Sequence, residues 1–399
     1  MKILLYNGVS TIAMAGGSER VFCEIANALT ARGHEVYAVC HSFQERPHYP
    51  LDDRVHFVNF DGSGRRKRIK PWDWIKGIRP FLPPVCNDVL DRYDEYQRYR
   101  SKGVPLMNLI REVQPDIFIP FFADNYLMLP QPLGVPVLLL HRSNAGRFCN
   151  KYVNTQRRIE KINTCSHLQV LQQSFVAEIQ KIFCGEIHVI PNVVPQLDEK
   201  DLADLAGDKP QKTIAMVSRL QKDKQQHMLI QAFGRLAKDY PDWKVDIYGA
   251  PNKQSYFRKL ENMIAAFSLV GRVELMGTTH RPLEMLRHTD IFAFPSNHAE
   301  GISNALNEAM AVGLPCVGLK TTPSVNEMIL DGVNGFLAEN TPEDFAAKLK
   351  TLMDDQDLRV KMGAAGHEMM KQYAPEKIWN QWEELITRIV QEYPQRKAA

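Results

Sequence analysis

The sequence predicts an α/β fold made of two doubly wound, parallel-sheet domains in tandem. Three observations predict it. Short apolar runs alternate with helix-period stretches along nearly all of the 399 residues. That length suits two domains of ordinary size. A polar stretch at residues 196–211, "QLDEKDLADLAGDKPQ", separates two such series.

The first series opens with "KILLY", then Gly16-Gly17, then the amphipathic "SERVFCEIANALTARG", then "EVYAVC". This is a strand, loop, helix, strand unit of the parallel kind. "VHFVNF", "DIFIPFF", "VPVLLLH", "HLQVL" and "EIHVIPN" follow as further strands. Residues 1–195 are therefore read as one Rossmann-like domain. The second series runs "KTIAMVSR", "KVDIYG", "VELMG", "DIFAFP", "PCVGL" and "NGFLAE", with helical patterns at 226–239 and 255–267. Residues 196–375 are read as a second domain of the same kind. After Pro375 a last helix, 376–399, carries Ile378, Trp382, Leu385, Ile386 and Ile389 on one side. It is expected to pack back on the first domain; a surface helix closing the second is the other reading.

Bulk composition excludes several classes. Apolar residues are 44% of the chain, enough for two cores. Net charge is +3, short of a nucleic-acid protein's signature. Seven cysteines without a Cys-x-x-Cys argue for free thiols in a reducing compartment. "MKILLYNGVS" lacks the pattern of a signal peptide, and no apolar run is long enough to span a bilayer. A cytoplasmic location is expected. Residues 65–81 differ from the rest: Arg65, Arg66, Lys67, Arg68, Lys70, Lys76 and Arg79 interleave with Trp72, Trp74 and Phe81. They read either as a solvated charged excursion or as a surface for anionic lipid, which would make the protein peripheral on the inner face of the plasma membrane.

The chemistry is sought in "SNHAEGISNALNEAMAVGLP", residues 296–315. Its order is strand end, loop, helix. Glu300 lies in the loop, and backbone N–H groups of Gly301, Ile302 and Ser303 start the helix, where an anion is favoured. Glu308 falls inside the helix, and its carboxylate can accept from vicinal hydroxyls, as on a ribose. Ordinary helix charges would give the same spacing. The neighbours add weight. "VSRLQKDK" places Arg219 and Lys224 at another strand end, suited to a diphosphate leaving group. Gly16 and Gly17 stand at a strand-to-helix junction, and "LLLHRSN" ends a strand at His141.

Taken together, Glu300-x7-Glu308 with "EAMAVGLP" after it and "SRLQKDK" before it resembles the retaining glycosyltransferases of family 4. The resemblance extends over nearly the whole chain and implies the GT-B fold, two Rossmann-like domains facing across a cleft. "PSVNEMI", with Glu327, resembles that family's downstream acidic position. Asn304 resembles the subgroup that builds bacterial surface polysaccharides and lipid-linked oligosaccharides. The resemblance implies roles. Arg219 and Lys224 would bind the donor diphosphate, and Glu308 the ribose. Glu300 with Gly301, Ile302 and Ser303 would hold the hexose and pyrophosphate. Gly16 and Gly17 would line the phosphates, His141 would contact the transferred sugar, and Thr278 to Arg281 would face the nucleobase. His141, Arg219, Lys224 and Glu300 are thus the catalytic set. Ser218 stands where the family often has Gly, and Arg142 where Asp is frequent.

The reaction implied is retaining transfer of a hexose or N-acetylhexosamine from a nucleotide donor, UDP-linked by preference, to a saccharide or lipid-linked saccharide. No cofactor, metal or nucleic acid is expected. Asp355-Gln356-Asp357 reads as turn and cap chemistry, and His167, His188 and His227 as packed or exposed. A nicotinamide-dependent oxidoreductase is disfavoured, because "AGGSER" is not Gly-x-Gly-x-x-Gly and no acid ends the second strand. A sugar-nucleotide epimerase, a phosphorylase and a non-catalytic sugar-nucleotide-binding protein remain as alternatives.

Overall fold

The computed structural model describes residues 1–8, 16–42, 45–61, 84–153, 155–279, 281–297 and 303–398. The basic, aromatic stretch at 65–81 and the loop residues Glu300, Gly301 and Ile302 lie outside the described residues. The chain divides into two compact units, Met1–Ile190 with Trp379–Ala399, and Pro191–Ile378. The divisions expected from sequence were 195/196 and 375/376.

In the first unit, β1 (Lys2–Asn7), β2 (Glu35–Cys40), β3 (His56–Asn59) and β4 (Ile117–Pro120) form a sheet in the order β3-β2-β1-β4. A second sheet, β5-β6-β7, is made by Leu138–Leu140, His167–Val170 and Glu186–Val189. Every pair is parallel, and a parallel bridge from Phe118 to Val137 joins the two sheets. The Gly17–Ala31 helix follows β1 because Val21, Phe22, Ile25 and Leu29 recur at helical spacing and are all buried. Gly33, at φ +84°, ends it, with Gly33 N–H on Thr30 and His34 N–H on Leu29.

The Pro375–Ala398 helix supplies Trp379 onward to this unit. Its Ile378, Trp382, Leu385, Ile386 and Ile389 are buried, as the periodicity of the sequence requires. Polar contacts frame that face. Glu383 meets Arg32 at 3.4 Å and His34 at 3.7 Å, while Arg388 meets Glu186 at 3.2 Å.

The second unit is a single sheet of six parallel strands: β8 (Lys212–Val217), β9 (Trp243–Tyr248), β10 (Val273–Gly277), β11 (Ile291–Phe294), β12 (Cys316–Leu319) and β13 (Gly335–Ala338). Their order is β10-β9-β8-β11-β12-β13. The strands are apolar on both faces because both faces are covered. Ile291, Ala293, Val317 and Leu319 join Met228, Leu229, Phe233, Leu260 and Phe345 on one side. Phe292, Phe294 and Cys316 join Leu306, Ala309 and Met310 on the other. Each fully buried side chain of this kind contributes about 2 kcal/mol of transfer free energy.

The crossover changes direction between β8 and β11. Chain after β8 winds outward through β9 and β10, then returns to lay β11 against the other side of β8. In open α/β sheets such a switch point leaves a crevice at the carboxyl ends of the two strands.

Candidate functional site

Ser218 and Arg219 follow β8, and Pro295 to Asn297 follow β11, so both loops open at that crevice. The two are stitched together by polar contacts. The Asn297 N–H donates to the Asp223 carbonyl at 3.0 Å, and Gln225 Nε2 donates to the Pro295 carbonyl at 2.8 Å. Gln226 is fully buried, and its Nε2 donates to Ser218 Oγ and the Arg219 carbonyl, both at 2.9 Å. The strand-end loops therefore hold their shape with their own hydrogen bonds.

Gly249 allows the β8 end to sit where it does. Its φ is +146°, and a Cβ there would fall 1.9 Å from the Ser218 carbonyl oxygen. Arg219 is exposed, and its guanidinium has no hydrogen bond or ion pair with a described residue. Lys224 closes the short turn Lys222–Lys224 in the same loop and is half-buried.

The Asn304–Ala311 helix begins past the β11 loop. Ser303 caps it, its Oγ accepting from the Leu306 N–H at 3.3 Å. Asn304 Oδ1 accepts from Asn192 Nδ2 at 2.8 Å and anchors the first turn. The helix exists because Leu306, Ala309 and Met310 share one buried face. Gly313 ends it at φ +85°, with its N–H on Met310 and the Leu314 N–H on Ala309. That pairing is the reason for Gly-Leu-Pro after the apolar face. Glu308 sits one and a half turns in and is 6% exposed. Beside it Asn307 Oδ1, and in the preceding loop Ser296 Oγ, are buried polar atoms with no hydrogen-bond partner among the described residues.

Thr278 and Arg281 follow β10, on the same carboxyl edge but at its outer end. Two strand spacings, roughly 10 Å, separate β10 from β8. Both are exposed, and Arg281 pairs with Glu284 at 3.1 Å. A cavity of about 410 Å³ lies beside the β8 loop, lined by Leu220 to Asp223 and by residues of the 252–259 segment. None of the residues expected from sequence to carry function lines it.

The first unit holds the other two elements of the reading. Gly16 is the N-cap of the Gly17–Ala31 helix, and no side chain caps it there. The Glu19 carboxylate folds back over it: a Cβ on Gly16 would lie 2.1 Å from Glu19 Oε2. Ser18 Oγ donates to that same oxygen at 2.9 Å. Glu19 is 8% exposed, so this helix start already carries a carboxylate of its own.

His141 follows β5, its N–H bonded to the Gln169 carbonyl at 2.9 Å. Its ring is fully buried and packs edge-on against Phe148. Nε2 lies 2.9 Å from the Asn144 carbonyl, which can accept but not donate. Nε2 therefore carries the proton, and Nδ1 is a buried acceptor with no partner among the described residues. Burial pushes the imidazole down to about 4, so it is neutral at physiological pH.

Asp355 behaves as a cap, accepting from the Leu358 N–H at 2.8 Å. Sequence reasoning missed Glu19 folded over Gly16, the Gln225 and Gln226 bridges, and a grouping of His167, Glu186 and His188. The last depends on strand register, which no local pattern in the sequence reveals.

Residues 198–369 match the family described as Glycosyl transferases group 1. Residues 15–196 match Glycosyltransferase Family 4. An uncharacterized glycosyltransferase of Haemophilus influenzae is 26% identical over 385 residues, 95% of this chain and 98% of that protein. The N-acetylgalactosamine-N,N'-diacetylbacillosaminyl-diphospho-undecaprenol 4-alpha-N-acetylgalactosaminyltransferase of Campylobacter jejuni is 29% identical over 353 residues, 86% of this chain and 89% of that protein. The crystal structure of Anabaena HepE in complex with UDP and glucose aligns with a TM-score of 0.68 at 17% identity, covering 97% of this chain and all of that one. No described helix is long and apolar enough to cross a membrane. With both halves of the chain matched and the doubly wound sheets in place, the chain belongs to the family-4 glycosyltransferases and is an enzyme of the GT-B fold.

Proposed function

We propose that the enzyme transfers a hexose or N-acetylhexosamine, with retention, from a UDP-linked donor to a lipid-linked saccharide during assembly of a surface glycan. The observation that carries this reading is the β8/β11 crevice, where a loop bearing Arg219 and Lys224 is stitched to the loop that leads into a Ser303-capped helix. Cations beside a helix start with a neutral cap suit a diphosphate. The acceptor class is supported by the name of the Campylobacter relative, and the donor class by the UDP bound to Anabaena HepE.

In this reading Arg219 and Lys224 hold the two phosphates and stabilise the charge that grows on the leaving oxygen, each lowering the barrier by about 3 kcal/mol. Glu308 accepts from the ribose hydroxyls. Glu300, with the backbone of Gly301, Ile302 and Ser303, holds the hexose and pyrophosphate. Thr278 and Arg281 face the base. The bond from the anomeric carbon to the phosphate oxygen breaks with oxocarbenium character. The departing oxygen takes the acceptor hydroxyl's proton while the acceptor oxygen bonds to the anomeric carbon on the same face, which preserves the anomeric configuration. Residues 65–81 would rest on anionic lipid and keep the enzyme at the inner membrane face.

A panel of nucleotide sugars tested by calorimetry, followed by NMR of the product, checks the reading. Binding of one UDP-sugar and a product of the donor's own anomeric configuration are expected. Binding without transfer to any lipid-linked saccharide would reduce the protein to a sugar-nucleotide binder. An inverted product would remove the mechanism.

A further inference from the structure

His167 begins β6, and Glu186 and His188 lie on β7, its parallel neighbour. The register sets His167 opposite Glu186, and His188 two residues further along the same face. Their ligand-type atoms all lie within 4.8 Å of one another. His167 Nδ1 and His188 Nε2 face each other at 3.2 Å, and Glu186 Oε2 is 4.0 Å from each.

We propose that His167, Glu186 and His188 form a binding site for a divalent cation of the zinc class, with Arg388 as its built-in competitor. Zinc bonds to imidazole nitrogen at about 2.0–2.1 Å, so tetrahedral ligands stand about 3.3 Å apart. The two ring nitrogens already have that separation. Glu186 needs to close by about 0.7 Å to match it, and its side chain is 41% exposed and can move. Two imidazoles and one carboxylate leave a fourth position for water. Both imidazoles offer nitrogen lone pairs to a borderline metal, and the carboxylate supplies the charge.

Arg388 holds the same groups in the metal-free state. It contacts Glu186 at 3.2 Å and His188 Nδ1 at 3.4 Å. Because a guanidinium can donate only, His188 accepts at Nδ1 and carries its proton on Nε2, pointing at His167. A cation on Nε2 moves that proton to Nδ1, which then repels Arg388. Both contacts of Arg388 break as the metal enters, and its side chain, 46% exposed, turns to solvent. His167 and Glu186 begin β6 and β7, whereas His141 follows the carboxyl end of β5. Its role is therefore to fasten this sheet edge, outside the sugar-transfer chemistry.

Untagged full-length protein, stripped with chelator, is titrated with Zn²⁺ by calorimetry and with Co²⁺ by visible absorption. One equivalent is expected, with a tetrahedral Co²⁺ spectrum. Arg388→Ala should tighten binding about tenfold by removing the competing cation. His188→Gln and His167→Asn should each weaken it about a hundredfold or more. UDP binding, measured in the same variants, should stay within twofold and serves as the fold control. Absence of stoichiometric Zn²⁺ in both wild type and Arg388→Ala overturns the site. So does a Zn²⁺ affinity that the two His variants leave unchanged.

Discussion

The chain contains two helix starts at sheet switch points, and they are prepared in opposite ways. In the first unit the Gly17–Ala31 helix has a carboxylate folded onto its N-cap glycine, with Ser18 donating to it. In the second unit the Asn304–Ala311 helix has a neutral Ser303 cap, and the adjoining loop brings Arg219 and Lys224. The macrodipole of the first is met by a carboxylate of the protein's own, and under the proposed function that of the second is met by the donor's diphosphate. Under the proposed function, the difference assigns the anion to the second start. The family-like Gly16-Gly17 pair looks more like a phosphate loop in sequence, yet its helix start already carries the Glu19 carboxylate.

Several changes would break or sharpen that contrast. The largest effect is expected from the cations. Arg219→Ala and Lys224→Ala should each lower turnover by about a hundredfold to a thousandfold, with the free enzyme still folded. Steady-state assays of both variants check it, and near-normal turnover in either would end the role given to that residue.

A pH effect in the first unit comes next. Burial holds His141 at about 4, while in the unfolded chain it titrates near 6.5. Between those values the unfolded state binds a proton that the folded state refuses. Stability is therefore full above about pH 6.5, falls by roughly 3 kcal/mol as pH drops to about 4, and levels off below. Urea unfolding across that range should show the slope, and His141→Asn should flatten it. The smallest effects separate the two helix starts. Ser303→Ala should cost about 1 kcal/mol of stability through the lost cap. Glu19→Gln should change donor affinity by less than about threefold, within the range of a surface dipole interaction. A Glu19→Gln gain far beyond that would move the phosphate site to Gly16.

Much of this was legible in the sequence because it is written in local patterns. The apolar runs that became β8 and β11, the apolar face of 304–311, the Gly-Leu-Pro stop and the five buried positions of the terminal helix all follow from periodicity and cap chemistry. What was not legible depends on pairing between distant segments. That β8 and β11 are neighbours, so that the loops following them open on one crevice, follows from sheet order. That His167 meets Glu186 and His188 follows from the register of β6 on β7, and single histidines gave no sign of it. The bridging of Gln225 and Gln226 was hidden because a glutamine in a loop has no pattern to mark it. The expectation for 65–81 and the contacts of Glu300, Gly301 and Ile302 fall outside the described residues.

The central claim is that the donor diphosphate is gripped at the β8/β11 crevice of the second unit. Amide hydrogen exchange with and without saturating UDP tests it most directly, because a ligand protects the backbone it holds. Strong protection over 218–226 and 303–308, with little change over 16–20, is the predicted result. Protection confined to 16–20, with 218–226 exchanging as in the free enzyme, would contradict it.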